Sequence, residues 1–176
     1  MATQTAALKP LPVKSLLRYW GPPAVWLALI VVESTDALSA AHTGGMLSHL
    51  LTAIFGTVSM TAVEALNHVL RKTGHFVGYA VLSWLMFRAL RGTCAEMWER
   101  EEEKPPEERR ERLRLAWMAI AAVFTFLVAS ADEAHQAMLP GRTGVFTDVL
   151  LDTAGALFAQ FALIALNGRR NGNGSS

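Results

Sequence analysis

Cysteine is nearly absent from this sequence. Cys94 stands alone, so no disulfide can close within the chain, and its place near a helix end reads as an ordinary thiol. An excess of one charge is missing too. Lysine and arginine total 16 against 15 for aspartate and glutamate, a formal net charge of +1. The basic residues flank apolar segments and form no face interleaved with exposed aromatics, so no nucleic-acid partner is expected. Gly-x-Ser-x-Gly, phosphate-cradling glycine loops and His-Glu-x-x-His do not occur, so the sequence carries no hydrolase-elbow, nucleotide or zinc signature. No cofactor and no metal are expected.

What the chain does have is apolar surface. Of its 176 residues 52% are hydrophobic and 18% are charged, and the charges gather in blocks, the pattern of an integral membrane protein. Residues 1–18 make a polar flank with Lys9, Lys14 and Arg18, cytoplasmic under the positive-inside bias. Tyr19 to Val32 is uncharged but shorter than the about 20 residues a span needs. It must therefore borrow length from Glu33 to Leu38 or from the flank before it. A basic start, a short apolar run and Ser39-Ala40-Ala41 also outline a cleaved signal peptide, against which Glu33 and Asp36 count.

From Met46 to Val63 the apolar residues Leu47, Leu50, Leu51, Ile54, Phe55 and Val58 fall on one helical stripe, with Ser48, His49, Thr52, Thr57 and Ser59 opposite. Such a helix lies in the membrane interface or dips into it. Glu64, Asn67, His68 and Arg71 continue it as a solvated polar face. Phe76 to Phe87 is the core of the second span. A loop at 92–114, broken by Pro105-Pro106, mixes many charges and carries no evident chemistry. Leu115 to Ala131 and Val145 to Asn167 supply the third and fourth spans, and the Gly/Asn/Ser tail at 168–176 is disordered by composition. The expectation is an all-α membrane protein of about four transmembrane helices plus an interfacial or re-entrant amphipathic helix near 46–71, forming a single domain over 19–167.

Between the last two spans, Ser130 to Gly155 concentrates ionisable residues at the edge of hydrocarbon, where such groups are functional candidates by default. Asp132 and Gln136 are one helical turn apart, as are Asp148 and Asp152, and Pro140-Gly141 supplies the reversal between the spans. Arg142 can offer a planar fork to a carboxylate or phosphate, and Lys72 a point charge. His75 and His135 titrate near neutrality and suit proton transfer. His75 and Tyr79 share a helix face one turn apart. Catalytic candidates are thus His75, His135, Asp132, Glu133 and Asp148; ligand-binding candidates are Lys72, Tyr79, Gln136, Arg142 and Asp152. The structural alternative is a clamp from Arg142 to Asp148 or Asp152 that pins the last two spans, with Lys72, His75 and Tyr79 as interfacial anchors.

The run Arg71-Lys72-Thr73-Gly74-His75-Phe76-Val77-Gly78-Tyr79-Ala80-Val81-Leu82, then Asp132-Glu133-Ala134-His135-Gln136, Pro140-Gly141-Arg142, Asp148 and Gly155 resembles the VanZ-like family over residues 20 to 166. The resemblance implies a small helical protein of the bacterial cytoplasmic membrane and cell envelope, of the teicoplanin-resistance type. Asp152 stands where many relatives carry asparagine and Ala159 where a glycine is common; the charged insert at 96–114 is outside the resemblance. The expected function is binding of an anionic, lipid-linked or envelope-derived ligand in an outward-facing polar pocket, contributing to glycopeptide resistance. The alternatives are a membrane-embedded enzyme that modifies or hydrolyses an envelope lipid, and a small transporter, for which a repeat would be expected. The lipid bilayer is the one certain partner; the sequence sets no oligomeric state.

Four spans gather the N-terminal flank, the 92–114 loop and Arg169-Arg170 on one basic side, cytoplasmic by charge. Reporter fusions after Arg170 and near Pro105 should therefore read as cytoplasmic and one near Gly44 as external. A C-terminal reporter found outside would overturn the four-span order.

Overall fold

The computed structural model describes residues 10–35, 40–100, 105–139 and 145–172. These residues form five helices: α1 (Val13–Glu33), α2 (Ala40–Phe55), α3 (Met60–Arg100), α4 (Glu107–Ala137) and α5 (Phe146–Gly172). No strand occurs among them. The protein is an all-α membrane protein, and its described helices cover the apolar segments expected from sequence.

Three helices, Val13–Glu33, Glu107–Ala137 and the Phe146–Leu166 part of α5, are long and apolar enough to cross a bilayer. The first span takes its missing length from the N-terminal side, beginning at Val13 and ending at Glu33. Pro22 and Pro23 lie inside it, tolerated because neighbouring groups can satisfy the freed carbonyls.

α3 does not qualify as a span by composition, yet it lies at the centre. It packs against α1, α2, α4 and α5, most extensively against α5. A 41-residue helix is about 60 Å long at 1.5 Å per residue, roughly twice the hydrocarbon thickness, so both ends must project from it. Its middle can be less apolar than a lipid-facing span because protein covers it. Tyr79, Leu82, Ser83 and Ala89 are almost wholly buried. They join Ile30, Met86, Phe87, Trp117, Met118, Ala121, Ala129 and Val149 in the core. The outer surfaces carry exposed Val25, Leu29, Ile120, Val123, Leu127, Leu157 and Phe161, as lipid contact requires.

One expectation is corrected here. Glu64, Asn67, His68 and Arg71 do not continue the amphipathic helix; they are the first turns of α3. The reason is local, since Gly56 adopts φ +80°, a conformation that ends α2 and that glycine alone accepts without cost. α2, with 16 residues, is about 24 Å long and too short to span. It folds back on α3, placing Gly44 against Asn67, while Met46, Leu50, Ile54 and Phe55 remain exposed.

The basic flanks meet at one end. Ser15 Oγ donates to Glu96 Oε1 at 2.6 Å, Trp20 Nε1 to Thr93 Oγ1 at 3.0 Å and Arg114 Nη2 to the Leu163 carbonyl at 3.3 Å. The Ser15 hydroxyl, helped by Arg100, holds the Glu96 carboxyl below the usual carboxylate range. This end joins the start of α1 and α4 to the finish of α3 and α5, as the charge pattern predicts.

Small residues let α3 and α5 approach. A Cβ on Gly155 would lie 2.2 Å from the Phe76 carbonyl oxygen, a clash with backbone that no rotamer relieves. Gly155→Ala should therefore cost about 1–3 kcal/mol by overpacking and lower the melting temperature in detergent. Gly45→Ala, with no atom within 4 Å of the new methyl, should be neutral or slightly stabilising. Equal melting of the two variants would contradict the close approach.

Candidate functional site

At the end opposite the basic flanks, α1, α3, α4 and α5 bring their polar residues together. Asp132, in the last turns of α4, accepts three side-chain bonds. Tyr79 Oη donates to Oδ2 at 3.0 Å, Gln136 Nε2 to the same oxygen at 3.0 Å, and Ser34 Oγ, from the C-cap of α1, donates to Oδ1. So many donors fix the carboxylate as an acceptor that orients others. Burial also explains the clustering, because a Tyr79 hydroxyl left without a partner at 1% exposure would carry its full desolvation cost.

A second pair lies one turn away. His75 Nδ1 is 3.5 Å from Asp152 Oδ2, and the imidazole stacks on Tyr79 with ring centroids 6.2 Å apart. Asp152 is 2% exposed, and its other oxygen, Oδ1, has no hydrogen-bond partner among the described residues. With Nδ1 turned to a carboxylate, the Nε2 atom is left to accept or donate a proton. Lys72 Nζ pairs with Asp148 Oδ1 at the rim, where both side chains are over a third exposed. Deeper in the bundle, Gln160 Nε2 donates to the Ser83 hydroxyl at 2.7 Å and to its carbonyl at 3.1 Å.

Nine of the ten candidate residues lie within the described segments. The structure joins Asp132, Tyr79 and Gln136 in one network, His75 and Asp152 in a second contact, and Lys72 and Asp148 in a third. Glu133 is buried and accepts the Val145 N–H at the start of α5, so it holds the helix entry. His135 is exposed on α4 and is not brought to these contacts. Arg142 lies outside the described residues; the carboxylates expected to clamp it face Lys72 and His75.

Two features were missed in sequence. Ser34 offered no signal beyond closing the first apolar run. Glu64, Asn67, His68 and Arg71, taken as a solvated face, line a cavity of about 530 Å³ together with Gly44 and Gly45 of α2. Their spacing was visible; the returning helix that walls them was not. By contrast, the crevice between His75, Tyr79, Asp132 and Glu33 encloses about 10 Å³, room for about one water. Among the described residues no three His, Cys, Asp or Glu side chains are placed to hold a metal ion.

A family model described as VanZ/LLP1 matches residues 20–167. The chain belongs to the VanZ/LLP1 family. No curated protein and no solved structure matched it. In this VanZ/LLP1 protein the segment Arg71 to Leu82 on α3 and the segment Asp132 to Gln136 on α4 meet through the Tyr79–Asp132 hydrogen bond.

Asp132→Ala should leave the Tyr79 hydroxyl buried without an acceptor, at about 1–3 kcal/mol, and lower detergent melting more than Tyr79→Phe, which removes one donor for about 1 kcal/mol. An equal loss from Tyr79→Phe would shift the keystone from the carboxylate to the hydroxyl.

Proposed function

We propose that this VanZ/LLP1 protein binds an anionic, lipid-linked or envelope-derived ligand at the outer end of the bundle, and that it thereby contributes to glycopeptide resistance. In this reading it sits in a bacterial cytoplasmic membrane with both termini inside. The observation that carries the proposal is the α2–α3 cavity of about 530 Å³, one helical turn from the Lys72–Asp148 and His75–Asp152 pairs. Charge decides between the two spaces at this end. Around the crevice, Glu33, Asp132, Glu133, Asp148 and Asp152 outnumber Lys72 and His75, so an anion is repelled there. The cavity holds a single carboxylate, Glu64, beside Arg71 and the His68 imidazole, and has the size of a ligand site. Arg142, between α4 and α5 in the sequence, has the planar fork that such an anion could use.

A second reading is favoured by the His75–Asp152 pair, whose geometry suits general acid or base work: an enzyme that modifies or hydrolyses an envelope lipid. Lipid extracts from cells with and without the protein, compared by mass spectrometry beside teicoplanin susceptibility, separate the two. Binding predicts an unchanged lipidome with protection lost in Arg142→Lys, because lysine keeps the charge but loses the two-oxygen grip. A new lipid product that vanishes with His75→Ala would replace binding with catalysis. Protection that survives Arg142→Lys at normal membrane abundance would remove Arg142 from the site.

A further inference from the structure

The opposite end of the bundle holds a second polar space, independent of the outer cavity. It is about 310 Å³ in volume and lies between the final turns of α3 and the first turns of α4. Arg91, Arg110 and Arg114 line it against Glu99 and Glu111, with the indoles of Trp98 and Trp117 as a wall. The lining is therefore net positive. Glu111 faces Arg114 at 3.4 Å, whereas Arg91 and Arg110 have no ion-pair partner among the described residues. The two indoles pack on each other with centroids 5.7 Å apart, which keeps the wall in place without an occupant.

The level of this cavity identifies its occupant. Arg114 reaches the Leu163 carbonyl near the end of the apolar part of α5, and the charge-free part of α4 begins at the next residue, Leu115, which is exposed. Guanidinium groups and indoles gathered where the apolar segments end are the arrangement of a membrane interface. We propose that the cavity binds the phosphate headgroup of an acidic phospholipid from the leaflet on the basic side. Paired guanidiniums grip phosphate oxygens through two parallel bonds. The indole wall meets the glycerol region, and the acyl chains run along the exposed surface of α4 into the bilayer. The volume suits a headgroup; the chains need no pocket. Basic pockets between transmembrane helices recognise lipid headgroups on this physical ground.

Native mass spectrometry of the detergent-solubilised full chain tests this, using phosphatidylglycerol and phosphatidylcholine with the same acyl chains. The wild type should retain phosphatidylglycerol and not phosphatidylcholine. Arg91→Gln with Arg110→Gln, which removes two charge-assisted contacts, should weaken retention by about tenfold or more. Arg109→Gln with Arg112→Gln, the same charge change outside the cavity, should leave it within about twofold. Should the glutamine pair unfold the protein, Arg91→Lys with Arg110→Lys keeps the charge and should still lose severalfold through loss of the fork. Equal retention of both lipids, an equal loss in the control pair, or undiminished retention in the lysine pair would overturn the proposal. Displacement by millimolar inorganic phosphate would overturn the lipid as occupant in favour of a soluble anion.

Discussion

A helix that carries charge through a bilayer must be covered by protein, and α3 imposes that requirement on everything around it. Arg71, Lys72 and His75 mark one end of its apolar middle and Arg88 and Arg91 the other, while Tyr79 and Ser83 sit between. The remaining helices solve the problem by surrounding it. α5 comes close enough that Gly155 touches backbone, and Trp26 of α1 donates its indole N–H to the Gly78 carbonyl at 2.8 Å. Lipid then sees the apolar outer faces of α1, α4 and α5, whose exposed valines, leucines and phenylalanines would be misplaced in water.

Much of this was readable before any coordinates. Charge-free segments and their basic flanks reveal the ends of the bundle, because desolvation and the positive-inside bias act on composition directly. The contact between Asp132 and Gln136 follows from helical spacing alone. The Lys72 and His75 contacts with Asp148 and Asp152 also require both segments to lie at one end of the bundle, which the four-span order provides. The unreadable parts depend on what crosses over from elsewhere. Nothing in the local pattern distinguishes His135, which points outward, from Gln136, which is buried, until α1 and α3 take their places. Gly56 is one glycine among 13, and only its positive φ separates α2 from α3 and turns a polar face into a cavity wall.

The two ends of the bundle use charge differently. At the end opposite the basic flanks carboxylates are in excess, and most are occupied: Asp132 by three donors, Glu133 by the Val145 N–H, Asp148 by Lys72. At the basic end arginines pair along their own helices, as Arg100 does with Glu96 and Arg112 with Glu108, or reach a neighbouring carbonyl, as Arg114 does. Pairs of the exposed kind contribute little to stability. The carboxylate network, partly withdrawn from solvent, restricts which arrangements of α1, α3, α4 and α5 are tolerable.

His75 with Asp152 and Ser83 with Gln160 have the same separation along α3 as along α5, and both helices run in the same direction through the membrane. The two pairs act as the teeth of a key. Sliding α5 past α3 by a helical turn would part His75 from Asp152 and Ser83 from Gln160 at once, and it would carry Gly155 away from the Phe76 carbonyl that only a glycine admits. Apolar packing alone tolerates several alignments of two parallel helices. Two polar pairs at matched intervals admit one, so the sequence positions that look least suited to hydrocarbon are those that set the register in which the carboxylate-rich end is assembled.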